Sequence, residues 1–440
     1  MGFAPHTDDD VREMLAVIGA GSLDGLFDQI PAAVRLGRAL DLPAGVSEQE
    51  IVTDLVGLAR RNRSADELVC FAGGGVYDHF VPSVVWSLAG RSEFYTSYTP
   101  YQPELSQGVL QALFEFQSMV CELTEMEVSN ASLYDGATAL VEAVNMARQG
   151  GSRSRVLVAA GVDPRLVETL RTYGRGSGYE PELLGQDGGL SLPPKGGSDV
   201  AAVVIQHPNV YGLLEDVRGF ASAAHAAEAK LIQVFDPMSL GVLAAPGEMG
   251  VDVAVAEGQP LGNHLNFGGP NLGILAARMA DVRRMPGRIV GQTADVDGET
   301  GYVLTLQARE QHIRREKATS NICTNQTLMA LAATVYLAWL GPNGLEALGR
   351  QCAAKAAYAH ARLTAIPGVE DPFPDRPFFR EFAIGLPGGA GQVRDALLER
   401  GYLAGVPAAG HDDLLIVALT ERRTRAEIDG LAGAMAEVLS

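Results

Sequence analysis

The chain has 440 residues, 47% hydrophobic and 20% charged, enough for a large core and two or three domains. A net charge of −19 argues against a nucleic-acid partner and against an anionic membrane surface. The chain shows no apolar run long enough to span a bilayer and carries Asp8, Asp9 and Asp10 in place of a basic leader, while four separated cysteines (Cys70, Cys121, Cys323, Cys352) read as reduced thiols of a cytoplasmic protein.

Residues 9 to 65 carry apolar positions at helical spacing, in Met14 to Ile18 and at Ile51, Leu55 and Leu58, with Pro43, Gly45 and Ser47 between the two runs. Ser47 and Glu50 have the spacing of a capping box. The region reads as a helical arm extending to about residue 90. Gly73-Gly74-Gly75 offers backbone for a phosphate cradle, but without a preceding strand or a following lysine it reads as a turn. Next comes Tyr95 to Glu104, dense in hydroxyls. Pro100 and Pro103 stiffen it into a loop that is either a pocket wall or a hydrogen-bonded surface segment.

From Leu105 the pattern alternates between helices, 105–124 and 136–148 first, and short apolar runs at 155–159, 200–205, 231–235 and 251–255. That rhythm points to βαβ units and a mostly parallel sheet covered on both faces. Asp135 precedes the helix beginning at Gly136, and either caps it or leaves its free N–H groups to an anion. Asp236 ends the run Leu231 to Phe235, where α/β sheets bind ligands. It suits a pyridinium partner of pyridoxal phosphate or a plain turn cap. His207, similarly placed, could set an imidazole over a ring. Only four lysines exist, at 195, 230, 317 and 355, and none stands on the loop beyond Asp236. That loop holds Glu257-Gly258-Gln259-Pro260, so an intact pyridoxal site within this chain alone is not expected.

Arg309 to Lys317 reads as a charged helix face with pairs such as Glu310 and Arg314, stopped at Ser320 and Asn321. An apolar helix over 324–340 is interrupted at Gly341-Pro342-Asn343-Gly344, and an alanine-rich helix continues to about Leu363. Strand-like runs at 381–384 and 414–419, then a helix from Arg425 capped by Thr424, make a small α+β domain. The expected domains are an arm over 1–90, a large α/β domain over 91–345 and a small domain over 346–440.

Arg91 to Thr96, Tyr98 to Glu104, Asn130-Ala131-Ser132, Tyr134-Asp135-Gly136 and Arg309 to Asn325 together resemble the P-protein of the glycine cleavage system, and within it the alpha chains of the split, two-chain form. The resemblance implies the type I fold of pyridoxal phosphate enzymes. It also implies a heterotetramer with a homologous beta chain whose lysine holds the coenzyme. Gln259 stands at about that lysine's position here, and Asp236 becomes a relic of the pyridinium site. The implied reaction decarboxylates glycine and passes the aminomethyl group to the lipoyl arm of a carrier protein. Tyr95, Tyr98, Thr99, Tyr101 and Gln102 would lend polar groups to the partner's site; Tyr134, Asp135, Gly136, His207 and Asp236 would flank the cofactor position. Arg309, Arg314, Arg315, Lys317 and Asn321 would contact the partner, a carboxylate or the carrier; no metal is implied. The chain departs from the family at Glu125 and at Asp375-Arg376, where glycine is usual in or near each segment, and in Leu403 to Val406, which lacks paired glycines. A pure scaffold for the lysine-bearing chain, a relative acting on another amino acid and a self-sufficient enzyme using Lys317 are the competing readings.

Overall fold

A computed structural model describes residues 5–95, 98–149, 153–266 and 268–440, without the side chain of Tyr95. They form two units, Met1–Arg63 and Ser64–Ser440. The first holds helices Asp8–Ile18 and Glu48–Ala59, each opened by a capping box, Thr7 with Asp10 and Ser47 with Glu50. Neither helix buries a residue.

In the larger unit the apolar runs become a seven-stranded sheet. Its strands in chain order are β1 (Val128–Ser129), β2 (Arg155–Val158), β3 (Pro181–Leu183), β4 (Val200–His207), β5 (Lys230–Phe235), β6 (Val253–Glu257) and β7 (Gly273–Ala277). Across the sheet they run β1-β7-β6-β5-β4-β2-β3. The pairs from β6 through β3 are parallel, and β7 is antiparallel to both neighbours. Every β4 residue except Gln206 is buried, and since successive side chains alternate faces, both faces are covered. This is why the run is continuously apolar rather than alternating. Helix Gly136–Arg148 packs on β4 to β7, and Val217–Ala226 packs on β4 and β5.

The expected strand 251–255 lies two residues further on, at Val253–Glu257. The shift sets the carboxylate of Glu257 at the carboxyl edge of the sheet, level with the strand that ends before Asp236.

Helix Thr327–Thr364 is long and apolar enough to cross a membrane by length and composition, yet half of its apolar window is buried inside the protein. Gly341 breaks it with φ of 61°, so the interruption expected there is a kink between two packed halves. After it, Glu381–Gly385, Leu414–Ala418 and Val406–Pro407 form an antiparallel sheet, joined by helices Ala390–Leu398 and Arg425–Leu439, the latter with its Thr424 cap. A second apolar cluster around Phe71, Leu363, Phe382, Leu415 and Leu431 lies here. Val69–Cys70 pairs in parallel with Tyr402–Leu403, so residues 64–90, expected in the arm, belong to the larger unit.

Residues 309–317 are not one exposed helix. They break into short turns, Gln307–Arg309, Gln311–Arg314 and Arg315–Lys317, with Arg315 at φ of 54°. Arg309 is drawn inward, donating to the carbonyls of Met285 and Gly287. Both family departures at glycine positions coincide with left-handed backbone: Glu125 has φ of 52° and Asp375 φ of 63°.

Candidate functional site

Three strand ends, a helix and two further segments converge on a cavity of about 250 Å³ at the carboxyl edge of the sheet. The strands end there in Gln206, Asp236 and Glu257; helix Gly136–Arg148 points its N-terminus at it; the Gly74–Tyr77 segment and the Phe379-Arg380-Glu381 stretch close it. Parallel strands expose their last carbonyls and side chains at this edge, which is why ligands of α/β sheets collect there.

Asp236 leaves its strand and caps the next turn, its Oδ1 accepting from Met238 N–H at 2.9 Å. The same carboxylate pairs with Arg380: Nη2 lies 2.7 Å from Oδ1 and Nε 2.5 Å from Oδ2. Arg380 is 1% exposed and Glu381 8%. The Arg380 guanidinium lies 3.4 Å from the ring centroid of Tyr77 and bonds His79 Nε2, whose Nδ1 sits 2.6 Å from Glu421. Asp236 holds that guanidinium charged despite its burial, against the pull of desolvation. Tyr77 hydroxyl donates to Glu381 Oε2 at 2.8 Å, and Gly74 N–H to Oε1 at 2.7 Å. Burial raises the Glu381 carboxyl and pushes the Tyr77 phenol well above the ordinary range.

His79, Cys352 and Glu421 bring three ligand-type atoms within 4.8 Å of one another. The guanidinium against His79 opposes a cation there, and burial pushes the Cys352 thiol up to about 12, away from the thiolate a metal needs.

Glu257 closes the other end. Its Oε2 accepts from Gly136 N–H at 3.0 Å and its Oε1 from Gln259 and Leu272 N–H, both at 2.9 Å. A Cβ on Gly136 would meet the Glu257 backbone at 2.8 Å, so glycine is needed for this approach. Removal from water outweighs the three amide donors and pushes the carboxyl up to about 7. Gln259 is 3% exposed and fully engaged: Oε1 accepts from Tyr77 N–H at 2.8 Å, and Nε2 donates to the carbonyls of Tyr77 and Asn263 at 3.1 and 2.7 Å.

Of the residues expected beside a cofactor, Asp135, Gly136 and Asp236 line this cavity, while Tyr134 and His207 do not. Asp135 takes the capping role, accepting from Thr138 N–H at 2.7 Å. Tyr134 instead accepts from Cys323 N–H at 3.0 Å, fastening the loop before the long helix. His207 is buried, accepts from Glu215 N–H at 3.0 Å and is pushed down to about 4 by burial, so it stays neutral.

None of the described residues of the tyrosine segment lines the cavity. Tyr98 is 81% exposed and Tyr101 55%, and the Tyr101 hydroxyl accepts from Arg288 Nη2 at 3.3 Å. Thr99 Oγ1 is buried without a partner among the described residues, and Gln102 precedes the turn Pro103–Leu105 without a side-chain capping bond. Residues 96 and 97 and the Tyr95 side chain lie outside the described residues. Arg314, Lys317 and Asn321 are exposed, whereas Arg309 is spent on backbone carbonyls.

Arg380, Glu381, Tyr77 and Glu257 were not singled out from the sequence. Their signal was there: Phe378-Phe379-Arg380-Glu381-Phe382-Ala383-Ile384 embeds two charges in an apolar strand, and Glu257 ends an apolar run as Asp236 does.

Pyridoxal phosphate asks a protein for a lysine, a carboxylate on the ring nitrogen and an anion seat. Among the lining residues there is no lysine, the carboxylate is committed to Arg380, and Glu257 already occupies the amides. The residues of this cavity do not fit the coenzyme.

Residues 1–435 match the model of the family described as glycine cleavage system P-protein. The chain is 51% identical, over the whole of both sequences, to the "Probable glycine dehydrogenase (decarboxylating) subunit 1" of Moorella thermoacetica. It superposes on a crystal structure of glycine decarboxylase (P-protein) of the glycine cleavage system in inhibitor-bound form, with a TM-score of 0.91 and 47% identity over all of both chains. An aspartate aminotransferase from Thermus thermophilus shares the fold at a TM-score of 0.57, with 21% identity over 84% of this chain and 98% of that one.

Proposed function

The chain belongs to the glycine cleavage system P-protein family, with the type I fold of pyridoxal phosphate-dependent enzymes, and from that premise we propose that it is the lysine-free half of a two-chain glycine decarboxylase. The coenzyme, which supplies the electron sink for decarboxylation, is carried covalently by a homologous partner subunit. The observation that carries this reading is the buried Gln259, locked on Tyr77 and Asn263 where a Schiff-base lysine would have to stand.

This chain's part is to shape the partner's pocket from outside. Tyr98, Thr99, Tyr101 and Gln102, with Tyr95, form an aromatic and hydroxyl-rich edge that meets the partner's site, positions glycine and excludes water. The exposure of Tyr98 and Tyr101, costly for a lone subunit, supports that role. Arg314, Lys317 and Asn321 stand free to meet the partner or the lipoyl carrier protein; the pair assembles as a heterotetramer in the cytoplasm.

Co-expression with a lysine-bearing homologue should give a co-purifying complex that catalyses glycine-dependent carbon dioxide exchange. Thr99→Ala and Tyr98→Phe should then lower turnover at least tenfold while leaving assembly and melting temperature in place. Unchanged turnover in both variants would favour the scaffold reading, and a yellow, borohydride-sensitive chain on its own would overturn the division of labour.

A further inference from the structure

We infer that the Glu257 carboxyl group is a built-in plug that seals the phosphate position of this subunit, making the cavity refuse phosphate esters. Three backbone amides converge on one carboxylate: Gly136 at the opening of a 13-residue helix, Gln259 and Leu272. The Gly136 amide opens a helix at the carboxyl edge of a parallel sheet, with two loop amides beside it, and such donors are what a phosphate would otherwise take. The carboxylate makes the same bonds from within the chain and does not leave.

Position and charge act together. Glu257 ends β6, and Gly136 approaches its backbone so closely that an added Cβ would clash at 2.8 Å, so the side chain reaches the amides over a short path. Five carboxyl groups line the cavity against two guanidiniums, Arg165 and Arg380, and both of these are paired, with Asp163 and Asp236. A dianionic ester entering would find neither guanidinium free and would have to displace a bond set already complete. The inference rests on the reading of this chain as the lysine-free subunit and adds to it: a lysine restored at position 259 would not by itself restore the site.

The test is equilibrium binding to the full-length chain, independent of glycine turnover by the assembled pair. Pyridoxine 5′-phosphate, which has no aldehyde to react with stray amines, is titrated by fluorescence, with phosphate-free pyridoxine as control. The wild-type chain should show no saturable binding at millimolar ligand. Glu257→Ala should gain saturable binding of the ester, at least tenfold tighter than of pyridoxine, and its melting temperature should rise with inorganic phosphate. Glu257→Gln, nearly isosteric, keeps the test usable if the alanine variant unfolds and should show a smaller gain of the same kind. Saturable ester binding by the wild type would overturn the inference, as would folded variants that bind neither the ester nor inorganic phosphate. Loss of glycine exchange by the assembled wild-type pair would instead strike at the functional reading and leave these titrations untouched.

Discussion

At the scale of single residues the cavity is dominated by Arg380. Its pairing with Asp236 is almost fully buried, so removing one partner strands the other charge in a low-dielectric pocket. Arg380→Met should therefore cost about 3–5 kcal/mol in urea unfolding, while Arg380→Met with Asp236→Ala should recover a large part of that loss. A double variant whose loss is the simple sum of the two single losses would show that the pair is not coupled. Glu142 offers a test by pH. It is 3% exposed, and burial pushes its carboxyl up to about 7 from an ordinary 4.5. Between those values the folded chain holds a proton that the unfolded chain releases. Stability contributed by this group is thus greatest below about pH 4.5 and falls as pH rises to about 7, by on the order of 3 kcal/mol. Glu142→Gln should flatten this part of the stability–pH curve; an unaltered slope would mean that the group titrates normally. For the His79, Cys352 and Glu421 cluster, added zinc or a chelator should leave the melting temperature where it is.

At the scale of elements, the caps Ser47, Asp135 and Thr424 were legible because they depend on residues three apart, each accepting from the amide three residues on; Thr7 does the same but was not read. The helix Gln107–Thr124 ends differently, on Glu125 in left-handed backbone, where a side chain is strained and glycine is at ease. Glu125→Gly should stabilise the protein by roughly 0.5–1 kcal/mol, read as a higher urea midpoint with unchanged slope. Strand limits were less legible. Nothing in the apolar run 251–255 says which residues will pair; the register with Ile232 and Gly273 does, and it moved the strand end to Glu257. The charged stretch 309–317 misled for a related reason. Helical spacing of charges suggested a solvated face, but the carbonyls of Met285 and Gly287, distant in sequence, draw Arg309 inward and break the run.

For the molecule as a whole, the exposed tyrosines and the sealed cavity belong together. A cavity at the usual place for catalysis has its charged lining committed to internal pairs, while Tyr98 and Tyr101 of the most distinctive segment lie outside it and are exposed. A complex made with Tyr101→Phe should keep its stoichiometry and lose turnover, measured as glycine-dependent carbon dioxide exchange; a dissociated complex would mark Tyr101 as an assembly contact only. The sequence alone determined the α/β rhythm, the long motifs of the family and the missing lysine, because each is local: periodicity, contiguous identity and the presence of a residue type need no third dimension. Only the tertiary structure decided that Arg380 neutralises Asp236, that Glu257 caps the helix at Gly136 and that Gln259 bridges Tyr77 to Asn263. Apart from Asn263, four residues from Gln259, those partners lie far apart along the chain, and each is chosen by burial, which makes an unpaired charge or amide too costly to leave alone.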